Sequence, residues 1–183
     1  MELIEVEVKY KVEEIESIIK KLEEMNAKIE GEVIEEDHYF NHPCRDFKNT
    51  DEALRIRVRS NSIELTYKGP KISNKTKSRI EVSVILNDSF DSILKLLGYL
   101  GFTKVAVVRK RRKVYRLGDY KISLDTVESL GDFVEIELRT QKETLHDAEL
   151  RVLELARKLG LKGKPILKSY LELLLEKELS TSR

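Results

Sequence analysis

Glu5, Glu7 and Lys9 lie in one alternating run, Glu5-Val6-Glu7-Val8-Lys9. Successive side chains on a β-strand leave opposite faces, so Val6 and Val8 share one face and the three charges the other. Two carboxylates and an ammonium in line suit a divalent cation held beside an anion. One charged face is what any solvated strand presents, so recurrence decides the matter. The pattern recurs: Arg55 and Arg57 alternate with Leu54, Ile56 and Val58, and Lys68 closes the run Ile63-Glu64-Leu65-Thr66-Tyr67-Lys68. Arg79 and Glu81 alternate with Ile80 and Val82, Asp125 ends Lys121-Ile122-Ser123-Leu124-Asp125, and Glu135 and Glu137 alternate with Val134, Ile136 and Leu138.

A solvated sheet face would carry more Thr, Ser and Gln than these strands do. A sheet closed on itself, charged face inward and apolar face covered by helices, explains all of them together. The inward acids are then Glu5, Glu7, Glu81, Asp125, Glu135 and Glu137, and the inward bases Lys9, Arg55, Arg57, Lys68, Arg79, Lys110 and Arg112. Charges in such a lumen must be wet, paired or matched by a charged ligand. Arg forks and Lys ammoniums suit phosphate oxygens, and Glu-x-Glu pairs suit Mg²⁺ or Mn²⁺, so the combined site fits a metal-complexed polyphosphate.

The elements that position these residues follow from periodicity and turn chemistry. Strands are expected at about 2–10, 30–41, 52–60, 62–68, 78–87, 103–116, 119–127 and 132–140, and helices near 12–26, 89–98, 144–159 and 167–178. Residues 71–78, after Gly69-Pro70, read as a mobile basic loop. Mostly consecutive, hairpin-linked strands imply antiparallel pairing, and eight can close a barrel with a narrow interior. The expected class is α+β: an eight-stranded antiparallel closed barrel with helices packed outside, forming a single domain over residues 1–183.

The chain has 183 residues, 37% of them charged, yet a net charge of +1. That balance argues against a general nucleic-acid binder. In the basic run Arg109 to Lys113, alternation sends Lys110 and Arg112 inward and Arg109, Arg111 and Lys113 outward, so it forms no single patch. The single Cys44 has no intrachain partner, and no apolar stretch is long enough to span a membrane, so a soluble, cytoplasmic protein is expected. His38 and His42 sit on a strand leading into a Pro-marked loop and share no helical face, which disfavours zinc.

Taken in order, the motifs resemble those of the CYTH group of triphosphate tunnel metalloenzymes, which includes class IV adenylyl cyclases and thiamine triphosphatases. They are Glu5-x-Glu7-x-Lys9, Ala53-Leu54-Arg55-Ile56-Arg57, Thr66-Tyr67-Lys68-Gly69-Pro70, Arg79-x-Glu81, Lys110-x-Arg112, Leu124-Asp125 and Phe133-Val134-Glu135-Ile136-Glu137, with Lys168-Ser169-Tyr170 near the end. The resemblance implies catalytic roles for Glu5, Glu7, Lys9 and Asp125. It implies Mg²⁺ or Mn²⁺ on Glu5, Glu7, Glu81, Asp125, Glu135 and Glu137, and phosphate on Lys9, Arg55, Arg57, Lys68, Arg79, Lys110, Arg112 and Lys168. The branch it most resembles converts ATP to cyclic AMP and pyrophosphate. Hydrolysis of thiamine triphosphate, a nucleoside triphosphate or tripolyphosphate is the alternative, and turnover-free binding of a polyphosphate or nucleotide a further one. The partner expected is thus a small-molecule triphosphate, with neither nucleic acid nor membrane, and with room for a homodimer.

Overall fold

The computed structural model describes residues 3–181. Its eight strands are β1 (Ile4–Val12), β2 (Lys28–Asn41), β3 (Ala53–Arg59), β4 (Ser62–Lys68), β5 (Arg79–Leu86), β6 (Thr103–Leu117), β7 (Tyr120–Val127) and β8 (Gly131–Thr140). They close into a barrel in the order β1-β5-β4-β3-β2-β6-β7-β8, and neighbouring strands run antiparallel. Two-residue turns join β3 to β4, where Arg59 faces Ser62, and β6 to β7, where Leu117 faces Tyr120. The second turn needs Gly118 at φ 56°, a left-handed backbone that a side chain would strain.

Four helices, α1 (Ile15–Glu24), α2 (Phe90–Tyr99), α3 (Leu145–Lys158) and α4 (Tyr170–Thr181), complete the α+β architecture. The outward residues Val6, Val8, Ile122, Val134 and Ile136 are 0–1% exposed beneath Leu22 of α1 and Val152 and Leu155 of α3. Each such burial contributes roughly 1.5–3 kcal/mol. A second cluster seats Ile93 and Leu97 of α2 on Phe40, Leu54 and Ile56. Helices therefore cover most of the apolar outside, although the outward Val82 and Val84 of β5 stay exposed.

Not all of the inward face is charged. Tyr39, Val108, Val127 and Phe133 continue the inward parity of their strands and bury with Tyr170 of α4 in an apolar layer. Ser169 and Glu172 fasten the start of α4 reciprocally: the Glu172 carboxylate accepts from the Ser169 backbone N–H at 2.7 Å, and Ser169 Oγ accepts from the Glu172 N–H at 3.2 Å. This Ser-x-x-Glu capping box sets the helix start at 170 rather than the expected 167.

Strand β1 pairs with β8 along its whole length, from Ile4↔Thr140 to Val12↔Asp132. Its register with β5 is confined to Ile4↔Ile80 and Glu5↔Arg79. The 71–78 segment lies at this short seam: Ile72, Asn74 and Lys75 are exposed, but its last three residues are not. Thr76 and Ser78 are fully buried and Lys77 is 8% exposed, because the Lys77 N–H donates to the Glu7 carbonyl at 2.9 Å and carries the chain along β1.

Candidate active site

Strand register explains most of the lumen's charge arrangement. Directly opposed residues on one face of a sheet interact, favourably when opposite in sign. Here Lys9 faces Glu135, Glu5 faces Arg79, Asp37 faces Arg57, Glu35 faces Lys110, Lys68 faces Glu81 and Arg112 faces Asp125. Among the described residues Arg116 opposite Lys121 is like-charged in the basic sense, while one opposed pair is acidic on both sides: Glu7 faces Glu137. Like charges directly opposed are destabilising, so this position is the place to look for function.

Ligand oxygens of Glu5, Glu7 and Glu137 all lie within 4.8 Å of one another. Burial, and then the charges of Glu137 and Glu81, push the Glu5 carboxyl up to about 7. Burial also works to raise Glu137, but Lys121, 2.8 Å from its carboxylate, and Arg112 hold it below the usual range. Three converging carboxylates that repel one another fit a hard divalent cation such as Mg²⁺ or Mn²⁺, for which oxygen is the preferred donor.

The bases fall into two groups. Arg57 grips Asp37 with two bonds of 2.6 and 2.8 Å, and Lys110 joins the same carboxylate at 2.5 Å. Burial alone would raise Asp37; Arg57 and Lys110 outweigh it and hold the carboxyl well below its ordinary value. Arg112 forks onto Asp125 at 2.7 and 2.5 Å and reaches Glu135 at 2.5 Å. These guanidiniums are largely satisfied. Arg79 is not: it is 5% exposed, its one hydrogen bond runs to the Gly69 carbonyl at 3.4 Å, and it has no ion pair among the described residues. Arg55 bonds Glu64 and Thr66 through one nitrogen, both at 3.1 Å, while its buried Nε has no partner.

Lys9 is fully buried, 3.2 Å from Glu135, 3.9 Å from Glu7 and 3.9 Å above the Tyr170 ring. Burial, and then the Lys77 charge, lower its ammonium to about 8. The space between these groups is a cavity of about 1020 Å³ bordered by Glu5, Glu7, Lys9, Arg55, Lys68, Arg79 and Glu137, with Leu171, Leu175 and Leu179 of α4 along one side. Groups that bind anions and groups that bind cations thus face one cavity, with an apolar strip beside them.

Most residues singled out from the sequence meet here, with exceptions. Of the six carboxylates assigned to metal, three converge. Glu81 is ion-paired to Lys68, Glu135 to Arg112 and Lys9, and Asp125 lies under Arg112 with the Tyr170 hydroxyl donating to it at 2.8 Å. The exposed Lys168 does not bring its ammonium to the lumen: just ahead of the α4 cap its side chain bonds Glu176 at 2.7 Å, and its carbonyl accepts from Lys9 at 3.1 Å. Sequence reasoning missed Glu35, Asp37, Glu64 and Lys77, all at the cavity or in its ion pairs. The alternation Glu35-x-Asp37 was available as a signal, and so was the parity that joins Lys77 to Arg79 and Glu81.

Comparison with known proteins agrees with this fold. The CYTH domain pattern matches residues 3–170. A Methanocaldococcus jannaschii protein provisionally named an adenylate cyclase is 38% identical over 173 residues, spanning 93% of this chain and 98% of the relative. Adenylate cyclase CyaB of Aeromonas hydrophila is 31% identical over 161 residues, spanning 86% of this chain and 81% of its own. Among solved structures, the PH1819 protein of Pyrococcus horikoshii OT3 superposes with a TM-score of 0.87 at 43% identity, over 94% of this chain and 99% of that one. With most of its length matched, an inward-charged barrel and the ordered Glu-x-Glu-x-Lys to Glu-x-Glu motifs, the chain belongs to the CYTH domain family.

Proposed function

We propose that the protein is a divalent-metal-dependent enzyme that takes a triphosphate into the barrel and converts ATP to cyclic AMP and pyrophosphate. One observation carries the reading: the Glu5, Glu7 and Glu137 cluster opens into the same cavity as the buried Arg79, which has no ion pair among the described residues. A pure anion binder has no need of converging carboxylates, and a pure cation site has none of a buried guanidinium beside them. The choice of cyclisation is supported by two relatives above 30% identity that carry adenylate cyclase names.

Glu5, Glu7 and Glu137 would hold Mg²⁺ or Mn²⁺. When bound, such an ion lowers the pKa of a coordinated hydroxyl and screens phosphate charge. Arg79, Arg55, Lys68 and Lys9 would bind the phosphate oxygens from positions their strands set before substrate arrives, so little reorganisation opposes the reaction. The ribose 3′-oxygen bonds to the α-phosphorus, the bond from that phosphorus to the oxygen bridging to the β-phosphate breaks, and pyrophosphate leaves with its charge matched by the bases. The proton of the 3′-hydroxyl passes to solvent. Asp37, Asp125 and Glu135 hold Arg57, Lys110 and Arg112 in place, so these bases set the field of the lumen as well as touching the ligand.

Product analysis tests the reading. With ATP and Mn²⁺ or Mg²⁺, equimolar cyclic AMP and pyrophosphate are expected, and chelation should abolish them. ADP with phosphate, or turnover of thiamine triphosphate or tripolyphosphate instead, would replace cyclisation by hydrolysis. Binding without any product would reject an enzyme.

A further inference from the structure

The segment joining β4 to β5 is fastened on one side and reaches the metal-ligating acids on the other. Lys77 continues the inward parity of Arg79 and Glu81, while Thr76 and Ser78 face the opposite way. Thr76 Oγ1 donates to Glu149 Oε1 of α3 at 2.9 Å and meets Ser78 Oγ at 2.6 Å, and Ser73 Oγ donates to the same carboxylate. Inward, Lys77 Nζ donates to Glu7 Oε1 at 2.7 Å, at a side chain 7% exposed. Lys9 lies 3.9 Å from that same oxygen. The backbone is therefore held from outside by Glu149 and alongside β1 by the Lys77 N–H bond to the Glu7 carbonyl, and the ammonium sits on a carboxylate one of whose oxygens converges with those of Glu5 and Glu137.

An ammonium and a divalent ion on one carboxylate repel strongly at such short range in a partly dry lumen. Glu7 cannot serve both fully. A Lys side chain has four rotatable carbons and three donors, so its head group can swing while the pinned backbone stays still. In a lumen that admits a triphosphate, the strongest acceptor within that swing is a phosphate oxygen, on the side where Arg79 also waits. We propose that Lys77 is a displaceable cation of the tunnel. It neutralises Glu7 in the metal-free protein and transfers to a phosphate oxygen of the substrate once Glu7 ligates the metal. The inference rests on the reading of Glu5, Glu7 and Glu137 as the metal ligands. It assigns to Lys77 a double role: opposing metal alone and favouring the metal–triphosphate complex, so that the two ligands bind cooperatively.

The test is calorimetry on the full chain with two ligands, Mn²⁺ alone and the non-hydrolysable imido analogue of tripolyphosphate at saturating Mn²⁺. Lys77→Met should bind Mn²⁺ about tenfold more tightly and the analogue about tenfold more weakly, each change near the low end of what one charge-assisted hydrogen bond is worth. Lys77→Arg, which keeps the charge, should restore both toward wild type. A merely structural lysine would weaken both together, and loss of both affinities in folded protein overturns the proposal. If Lys77→Met does not fold, Lys77→Gln is put to the same two titrations. A wild-type protein that binds the analogue but no Mn²⁺ would overturn the metal-site reading itself.

Discussion

A carboxyl that titrates near neutrality among fixed charges reports directly on what its site is built to hold. Glu5 is raised from 4.5 to about 7 by burial and by Glu137. Because the folded value lies above the unfolded one, the fold favours protonated Glu5. Its stabilising contribution is fully present below pH 4.5 and is lost as pH rises through about 7. Cation binding needs the ionised form, so Mn²⁺ affinity should fall as pH drops below about 7. Glu5→Gln should remove that pH dependence, leave the apoprotein at pH 8 as stable as wild type or more so, and lose Mn²⁺ binding and turnover. Thermal melts with and without Mn²⁺ at pH 5 and pH 8 check all three; a mutant with wild-type Mn²⁺ stabilisation would refute the ligand assignment.

At the scale of elements, helices and strands divide the work, and the division can be measured. Leu22 of α1 is fully buried against the outer barrel wall. Leu22→Ala should cost about 2–5 kcal/mol in urea unfolding, while polyphosphate affinity holds near wild type because α1 lies outside the lumen. A large loss of affinity in the folded mutant would mean the barrel wall transmits packing defects inward. The same division explains what could be read from the sequence. Strands β1, β3 and β8 alternate cleanly between buried aliphatics and charges, so their inward sets were legible residue by residue. Strand β2 was not: beside the buried Glu35 and Asp37, its outward residues include Ile34 at 72% exposed and the charged Glu36, so neither parity stood out as the core side. Lys77 was hidden because Pro70, Ser73, Asn74 and Ser78 have loop chemistry, and the bonds that hold Ser73 and Thr76 come from Glu149, distant in the chain. Periodicity marks a face; it does not say which charges on that face satisfy one another, so the ion pairs of Asp125, Glu135 and Glu81 were not legible in it.

For the whole molecule, the central claim is that a walled lumen, and not a basic surface, binds the polyphosphate. The two pictures differ in which arginine matters. Arg79 is 5% exposed in the lumen with no ion pair among the described residues, whereas the Arg111 side chain is 70% exposed on the outside of β6. A walled site spreads its donors over several strands, so a three-phosphate chain reaches donors that a two-phosphate chain cannot. A surface site is dominated by counterion release and loses affinity steeply with salt. The decisive measurement is calorimetric titration of wild type, Arg79→Ala and Arg111→Ala with tripolyphosphate and with pyrophosphate, in EDTA at two salt concentrations. The account predicts that tripolyphosphate binds wild type much more tightly than pyrophosphate, that Arg79→Ala costs about 1.5–3 kcal/mol, and that Arg111→Ala costs little because exposed charges are screened. Equal losses in the two mutants, with no preference for the longer anion, would contradict it.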